Sequence, residues 1–361
     1  MLTSQGCRLR RDRLCEKLAG AGPLLLGDPL NLRYFAAFSA DPFSLAADSA
    51  ALLLVQPDGR STLYYESRLA AAAALAHVDE RVMVPWYDGA SPGRGPARLA
   101  LRSVLDGAGT GGRVHDSLAD PLAPDLWNAV GQLRRAKDPD EVDQLRECVR
   151  VAEAGHRWAR ANAKAGLTEM QVYEGIFAAC AEAAGRPAVV YGDIVVSPGP
   201  ARTDGRPTRR VLEDGDLLIV DFSVVLQGYR SDFTNTLCIG GRPTTAQARL
   251  YDQCAEALSA GERVLAPGAR CIDVYGAVRR CFEAAGVAEH FPHHAGHGLG
   301  LSHPEAPFFV PGATETLAEG DVVTLEPGLY VDGVGGIRVE HNYLVTARGF
   351  ETLSHHLLGL R

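Results

Sequence analysis

The residues best suited to chemistry lie in the second half of the chain. Asp221 and Asp232 occur in DLLIVDFSVVLQGYRSDFTNTLCI, residues 216–239; His297 lies in HHAGHGLGL; Glu326 follows VVTL; Glu340 ends GIRV. Taken singly, each has an ordinary explanation as a solvated acid or a loop histidine. Together they offer four carboxylates and one imidazole, all at the ends of expected elements or in glycine-rich turns. Four negative charges match two divalent cations, and a set of mainly oxygen donors with one nitrogen suits Mn, Co or Zn better than a structural zinc cage of Cys and His.

The elements that must position these groups follow from local pattern. Residues 217–225 are apolar and β-branched, Gln227-Gly228 supplies a turn, and residues 229–239 return as a second strand. Side chains alternate along a strand, so Asp221 and Asp232 fall on one face, opposite or diagonal to each other. Like charges placed so are destabilising unless something positive sits between them. Gly296, Gly298 and Gly300 let the backbone approach closely around His297. Pro327-Gly328 stops the strand before it and leaves Glu326 at its mouth, while Arg338 lies two residues before Glu340 on the same face.

The rest of the chain fits an α+β protein of two domains. Its 361 residues, 46% of them hydrophobic, can bury two cores. A net charge of −8 argues against a nucleic-acid partner. No targeting segment or long apolar run is visible, so a cytoplasmic protein without a membrane partner is expected. The eight cysteines show no metal or disulfide spacing and are expected to be reduced and mostly buried.

Residues 1–134 are expected to form a smaller α/β domain, with an opening helix, a short strand at 23–26, and strands at 50–55 and 61–65 joined by Gln56-Pro57-Asp58-Gly59. Residues 135–361 form the second domain, opening with a helix that Asp138 caps, Pro139 starts, and Val142, Leu145, Val149 and Ala152 bury. Thr168-x-x-Gln171 and Thr244-x-x-Gln247 open two further helices as capping boxes. Segments 172–185 and 274–286 echo each other, and a duplication would place a site between its halves.

The ordered motifs around Asp221, SDFTNT, GHGLGL, LEPGLY and RVEHN resemble the pita-bread metallopeptidases, a family that includes methionine aminopeptidases, aminopeptidase P, prolidases and the metal-free creatinases. The resemblance implies a pita-bread, creatinase-like catalytic domain with two metal ions on Asp221, Asp232, His297, Glu326 and Glu340. PLNLRYFAAF and the hairpin after it resemble the creatinase-type N-terminal domain, which methionine aminopeptidases lack, so the resemblance points to the Xaa-Pro branch. It further implies a homodimer and a peptide substrate.

Four positions depart from the family pattern. Ser223 replaces a glycine, and His341 follows the last glutamate where an acid is usual. Pro304 occupies the place of a family histidine, with His303 one residue early. A second family histidine has no counterpart in SPGPARTDGRPT, where Asp204 falls near its place. His293 still matches.

The implied reaction is hydrolysis of Xaa-Pro bonds, of the prolidase or aminopeptidase P type, by a hydroxide bridging two metal ions. Glu326 is expected to shuttle the proton, with His293, His303 and Arg338 stabilising the oxyanion or orienting the ligands. The alternatives are a dinuclear hydrolase of the same fold with another exopeptidase or C–N bond specificity, and a non-enzymatic binding protein. The last is disfavoured because no ligand position is lost. Arg33, Arg202 and Arg206 are possible receptors for a product carboxylate.

Overall fold

The structure, a computed structural model, describes residues 1–40, 50–86, 89–90, 101, 104, 114–117, 120–197 and 205–361; Arg202 and Asp204 lie outside the described residues. The chain divides into two compact units, Met1–Arg134 and Arg135–Arg361.

The first unit is built on a five-stranded sheet of β1 (Leu24–Leu26), β2 (Ala51–Val55), β3 (Ser61–Glu66), β4 (Glu80–Val84) and β5 (Val114–His115), in the order β4-β3-β2-β1-β5. The apolar run ALLLV is buried at every position of β2, whereas ERVMV forms the exposed edge strand β4. Gly59 closes the turn between β2 and β3 at a φ of 77°, a conformation that favours glycine. Arg33 is buried and donates to the Ala37 carbonyl of its own unit.

The second unit opens with the helix Pro139–Asn162, where the Asp138 N–H donates to Glu141 Oε2 at 3.0 Å. Capping boxes also open the helices Glu169–Ala184 and Thr245–Glu262. One sheet contains β6 (Val189–Val196), β7 (Leu217–Leu226), β8 (Tyr229–Arg230) and β9 (Phe233–Cys238). The other contains β10 (Gly296–Gly298), β11 (Glu305–Phe309), β12 (Val322–Leu325), β15 (His341–Thr346) and β16 (Gly349–Thr352), in the order β11-β10-β12-β15-β16. A separate hairpin pairs β13 (Gly328–Val331) with β14 (Gly335–Arg338).

The helices Pro139–Asn162 and Glu169–Ala184 pack together against the first sheet, and Thr245–Glu262 and Cys271–Ala284 pack together beside the second. The echoed segments are therefore the second helix of each pair. All eight cysteines are free, and no described helix is long and apolar enough to cross a membrane.

The hairpin differs from its expected form in one respect. Its second arm is broken at Ser231-Asp232, between β8 and β9. The cause is local: Val224 N–H donates to the Ser231 hydroxyl at 3.1 Å, so the serine side chain takes a bond that its carbonyl would accept in a regular ladder. The pairing register is the same on both sides of the break.

Gly296 determines how closely β10 approaches β12, because a Cβ there would lie 2.2 Å from the Thr324 carbonyl oxygen. Gly296→Ala is expected to lower stability by about 1–3 kcal/mol through overpacking. Gly312 faces open space, and Gly312→Ala should change it by under about 0.5 kcal/mol. Denaturant melts of the two variants beside the parent protein check the contrast.

Candidate metal centre

Asp221 is carried on β7 between two partners, with Asp193 of β6 directly across on one side and Thr234 of β9 on the other. The same register sets Asp232 across from Ser223, whose hydroxyl lies 3.4 Å from Asp232 Oδ1. The two aspartates are therefore diagonal neighbours on one face. Asp232 lies opposite Ser223 at a non-hydrogen-bonded place of the antiparallel ladder, so its backbone groups face away from β7 and bond Asn342 of the second sheet: its N–H donates to Asn342 Oδ1 at 3.1 Å, and Asn342 Nδ2 donates to its carbonyl. This pair of bonds joins the two sheets at the site.

The second sheet and the β13–β14 hairpin bring the other three groups. His297 lies on β10, where Nδ1 donates to the Gly298 carbonyl at 2.9 Å and leaves the Nε2 lone pair facing Asp232 Oδ2 at 3.6 Å and Glu326 Oε1 at 3.4 Å. Glu326 follows β12 and accepts from the Thr324 hydroxyl at 3.0 Å. Glu340 follows β14, its N–H donating to the Thr234 carbonyl at 3.1 Å and its Oε2 accepting from the Thr234 hydroxyl at 2.6 Å. The structure thus brings together all five residues singled out in the sequence.

Arg338 and His293 belong to a chain of hydrogen bonds beside this cluster. Arg338 Nη2 bonds Asp221 Oδ2 at 2.5 Å and Asp193 Oδ2 at 3.0 Å, so the positive group expected between the two hairpin aspartates bridges Asp221 to its cross-strand neighbour instead. Arg338 Nη1 donates to the Tyr330 hydroxyl at 3.0 Å, which donates to His293 Nε2 at 3.2 Å, and His293 Nδ1 donates to the His294 carbonyl at 2.7 Å. Burial, reinforced by Arg338, pushes the His293 pKa down to about 3, so this imidazole is neutral.

His303 does not lie on a strand. It sits in the bend before β11, where strand alternation does not apply, and its Nε2 is 2.8 Å from Asp232 Oδ2.

Several groups that complete the site were not identified in the sequence. Thr234 and Thr324 were detectable, since each lies two residues from an acid on an expected strand and so shares its face. Asp193, Tyr330 and His294, the last 3.5 Å from Glu326 Oε1, carry no such local signal.

Electrostatics show what the cluster lacks. Burial pushes the Asp221 pKa up to about 6; Arg338 opposes this, and Asp232 and Asp193 add to it. Burial also raises Glu326, against the pull of His297 and His294. Glu340 is held well above the usual carboxylate range by burial and then by Asp232, Glu326 and Asp221. Its Oε1 is buried without a hydrogen-bond partner among the described residues.

Three buried carboxylates and the partly exposed Asp221 beside one guanidinium, with an acceptor oxygen left over, suit cations. Asp221, Asp232 and Glu340 form one group of donors close enough to share an ion, and Asp232, His297 and His303 form another. Asp232 belongs to both.

Residues 143–347 match metallopeptidase family M24. The chain belongs to that family. An uncharacterized peptidase of Staphylococcus aureus is 27% identical to it over 337 residues, covering 91% of this chain and 93% of its own. Among solved structures, dipeptidase PepE of Mycobacterium ulcerans is similar with a TM-score of 0.76 and 27% identity, over 99% of this chain and 98% of its own. The prolidase of Pyrococcus horikoshii has a TM-score of 0.79 at 20% identity, over 98% of this chain and 100% of its own. The Xaa-Pro dipeptidase of Bacillus anthracis has a TM-score of 0.78 at 23% identity, over 98% and 99%. This M24 metallopeptidase therefore shares their fold, with its pita-bread catalytic part, over nearly its whole length.

Loss of one donor leaves the remaining carboxylates of the M24 site repelling one another. Asp232→Asn and His297→Ala are each expected to lower bound metal after dialysis while unfolding remains cooperative. Elemental analysis and thermal melts test this, and full metal content in either variant would remove that residue from the ligand set.

Proposed function

We propose that this metallopeptidase is an exopeptidase that hydrolyses Xaa-Pro bonds, of the prolidase or aminopeptidase P type. Asp221, Asp232, His297, Glu326 and Glu340 hold two divalent ions, either Mn, Co or Zn. The observation that carries the reading is the buried acidic cluster in which Asp232 belongs to two donor groups and Glu340 keeps one oxygen unpartnered. The Pyrococcus relative is a prolidase and the Bacillus relative an Xaa-Pro dipeptidase, which supports the Xaa-Pro assignment. The family resemblance supports a homodimer.

Two ions held by these residues would supply an acidified water and polarise the scissile carbonyl. The protein's own residues do the remaining work. Glu326, aimed by the Thr324 hydroxyl, accepts the proton released during attack and returns it to the departing amine. His293, neutral and fixed by Tyr330, orients the substrate carbonyl. Arg338 holds Asp221 in place and limits the repulsion within the cluster.

A second reading has a specific basis. His303 is engaged with Asp232, and proline occupies the family's histidine position beside it, so substrate contacts differ from the family pattern. Another dipeptidase specificity fits that difference, as does the name of the Mycobacterium relative.

Product analysis on Xaa-Pro dipeptides, longer Xaa-Pro peptides and peptides without proline separates the two readings. Cleavage confined to peptides without proline would reject the first. Glu326→Gln retains shape and one coordinating oxygen but no proton acceptor, and its kcat should fall by at least about a hundredfold. A parental kcat with metal bound would exclude Glu326 as the shuttle.

A further inference from the structure

We infer that His303 is a sixth protein ligand of the metal centre, giving one ion two imidazoles and biasing this enzyme toward zinc over manganese. The inference rests on the two-ion reading above and adds a donor to it.

The first support is geometric. Ligands about 2.0 to 2.2 Å from a common ion lie roughly 2.8 to 3.6 Å apart for octahedral or tetrahedral angles. His303 Nε2 is 2.8 Å and His297 Nε2 is 3.6 Å from Asp232 Oδ2, at the two ends of that range. The donor atoms of all three residues lie within 4.8 Å of one another, and the two imidazole centroids are 4.9 Å apart. His297 already presents Nε2 because its Nδ1 is bonded to a carbonyl. His303 presents the same nitrogen to the same carboxylate oxygen.

The second support is that the bend carrying His303 is held from both sides. Arg230 donates its backbone N–H to the Gly300 carbonyl at 3.2 Å and its Nη2 to the Leu301 carbonyl at 2.8 Å. After the histidine, Glu305 accepts from the Ser302 N–H at 3.1 Å and from Lys137 Nζ at 2.8 Å. Only 1% of the Lys137 side chain is exposed, so this ion pair is shielded from solvent screening. An imidazole fixed in this way loses little further freedom on binding an ion. A pair of imidazoles moves the donor set toward the softer side, where zinc gains relative to manganese.

The test compares the parent protein with His303→Ala and His303→Gln, each checked for folding by circular dichroism. The Gln side chain can still donate an N–H to Asp232 but offers no imidazole. Zinc and manganese affinities are measured by competition titration, and imidazoles in the zinc shell are counted by X-ray absorption. Two imidazoles per pair of zinc ions are expected in the parent and one in both variants, with the zinc-to-manganese affinity ratio falling at least tenfold. If His303→Ala does not fold, His303→Gln alone carries the test.

A parent that binds two ions with a single imidazole would overturn this inference and leave the five-ligand reading intact. So would a Gln variant with the parental affinity ratio, because His303 would then act only as a hydrogen-bond donor. A parent that binds neither metal would overturn the two-ion reading itself.

Discussion

The constraint on which the second unit depends is mutual repulsion among buried carboxylates. Asp232, Glu326 and Glu340 are buried and converge with the partly exposed Asp221, and a buried charge without a counter-charge costs several kcal/mol. The surrounding protein offsets that cost only in part. Arg338 bridges Asp221 and Asp193, hydroxyls of Thr234 and Thr324 each give one acid a hydrogen bond, and His303 reaches Asp232. The remaining deficit is what makes the site a receptor for divalent ions.

The architecture follows from the need to gather these acids from distant parts of the chain. Two come from the hairpin of one sheet, and the others from strands, or the turns after them, in the second half of the unit. Asn342 fastens the seam by bonding both backbone polar groups of Asp232. Those groups are available because Asp232 lies opposite Ser223 at a non-hydrogen-bonded place of the ladder, where N–H and C=O face away from β7.

The proposed metal donors match the pattern that resemblance to the family implies, while the residues around them are this chain's own. Ser223 adds a hydroxyl beside Asp232, where the family resemblance leads one to expect glycine. His341 turns from the centre to the Ser354 hydroxyl at 3.0 Å. Departures of this kind change what surrounds the ions while every donor position is retained, and so they bear on metal preference and substrate choice more than on the existence of the site.

The sequence alone was sufficient for the features that depend on neighbouring residues. Strand alternation put Asp221 and Asp232 on one face, capping boxes marked the helix starts at Thr168 and Thr244, and Pro327-Gly328 ended a strand beside Glu326. These are short-range effects, written in spacings of two to four residues. Tertiary structure alone decided which charges meet. Arg338 engages Asp193, which is distant in sequence and whose place beside Asp221 is set by β6 pairing with β7. His303 reaches Asp232 because its bend is gripped by Arg230, Glu305 and Lys137, whereas strand periodicity would have turned it away. Electrostatic partners are chosen by distance through space, and a local pattern does not encode that distance.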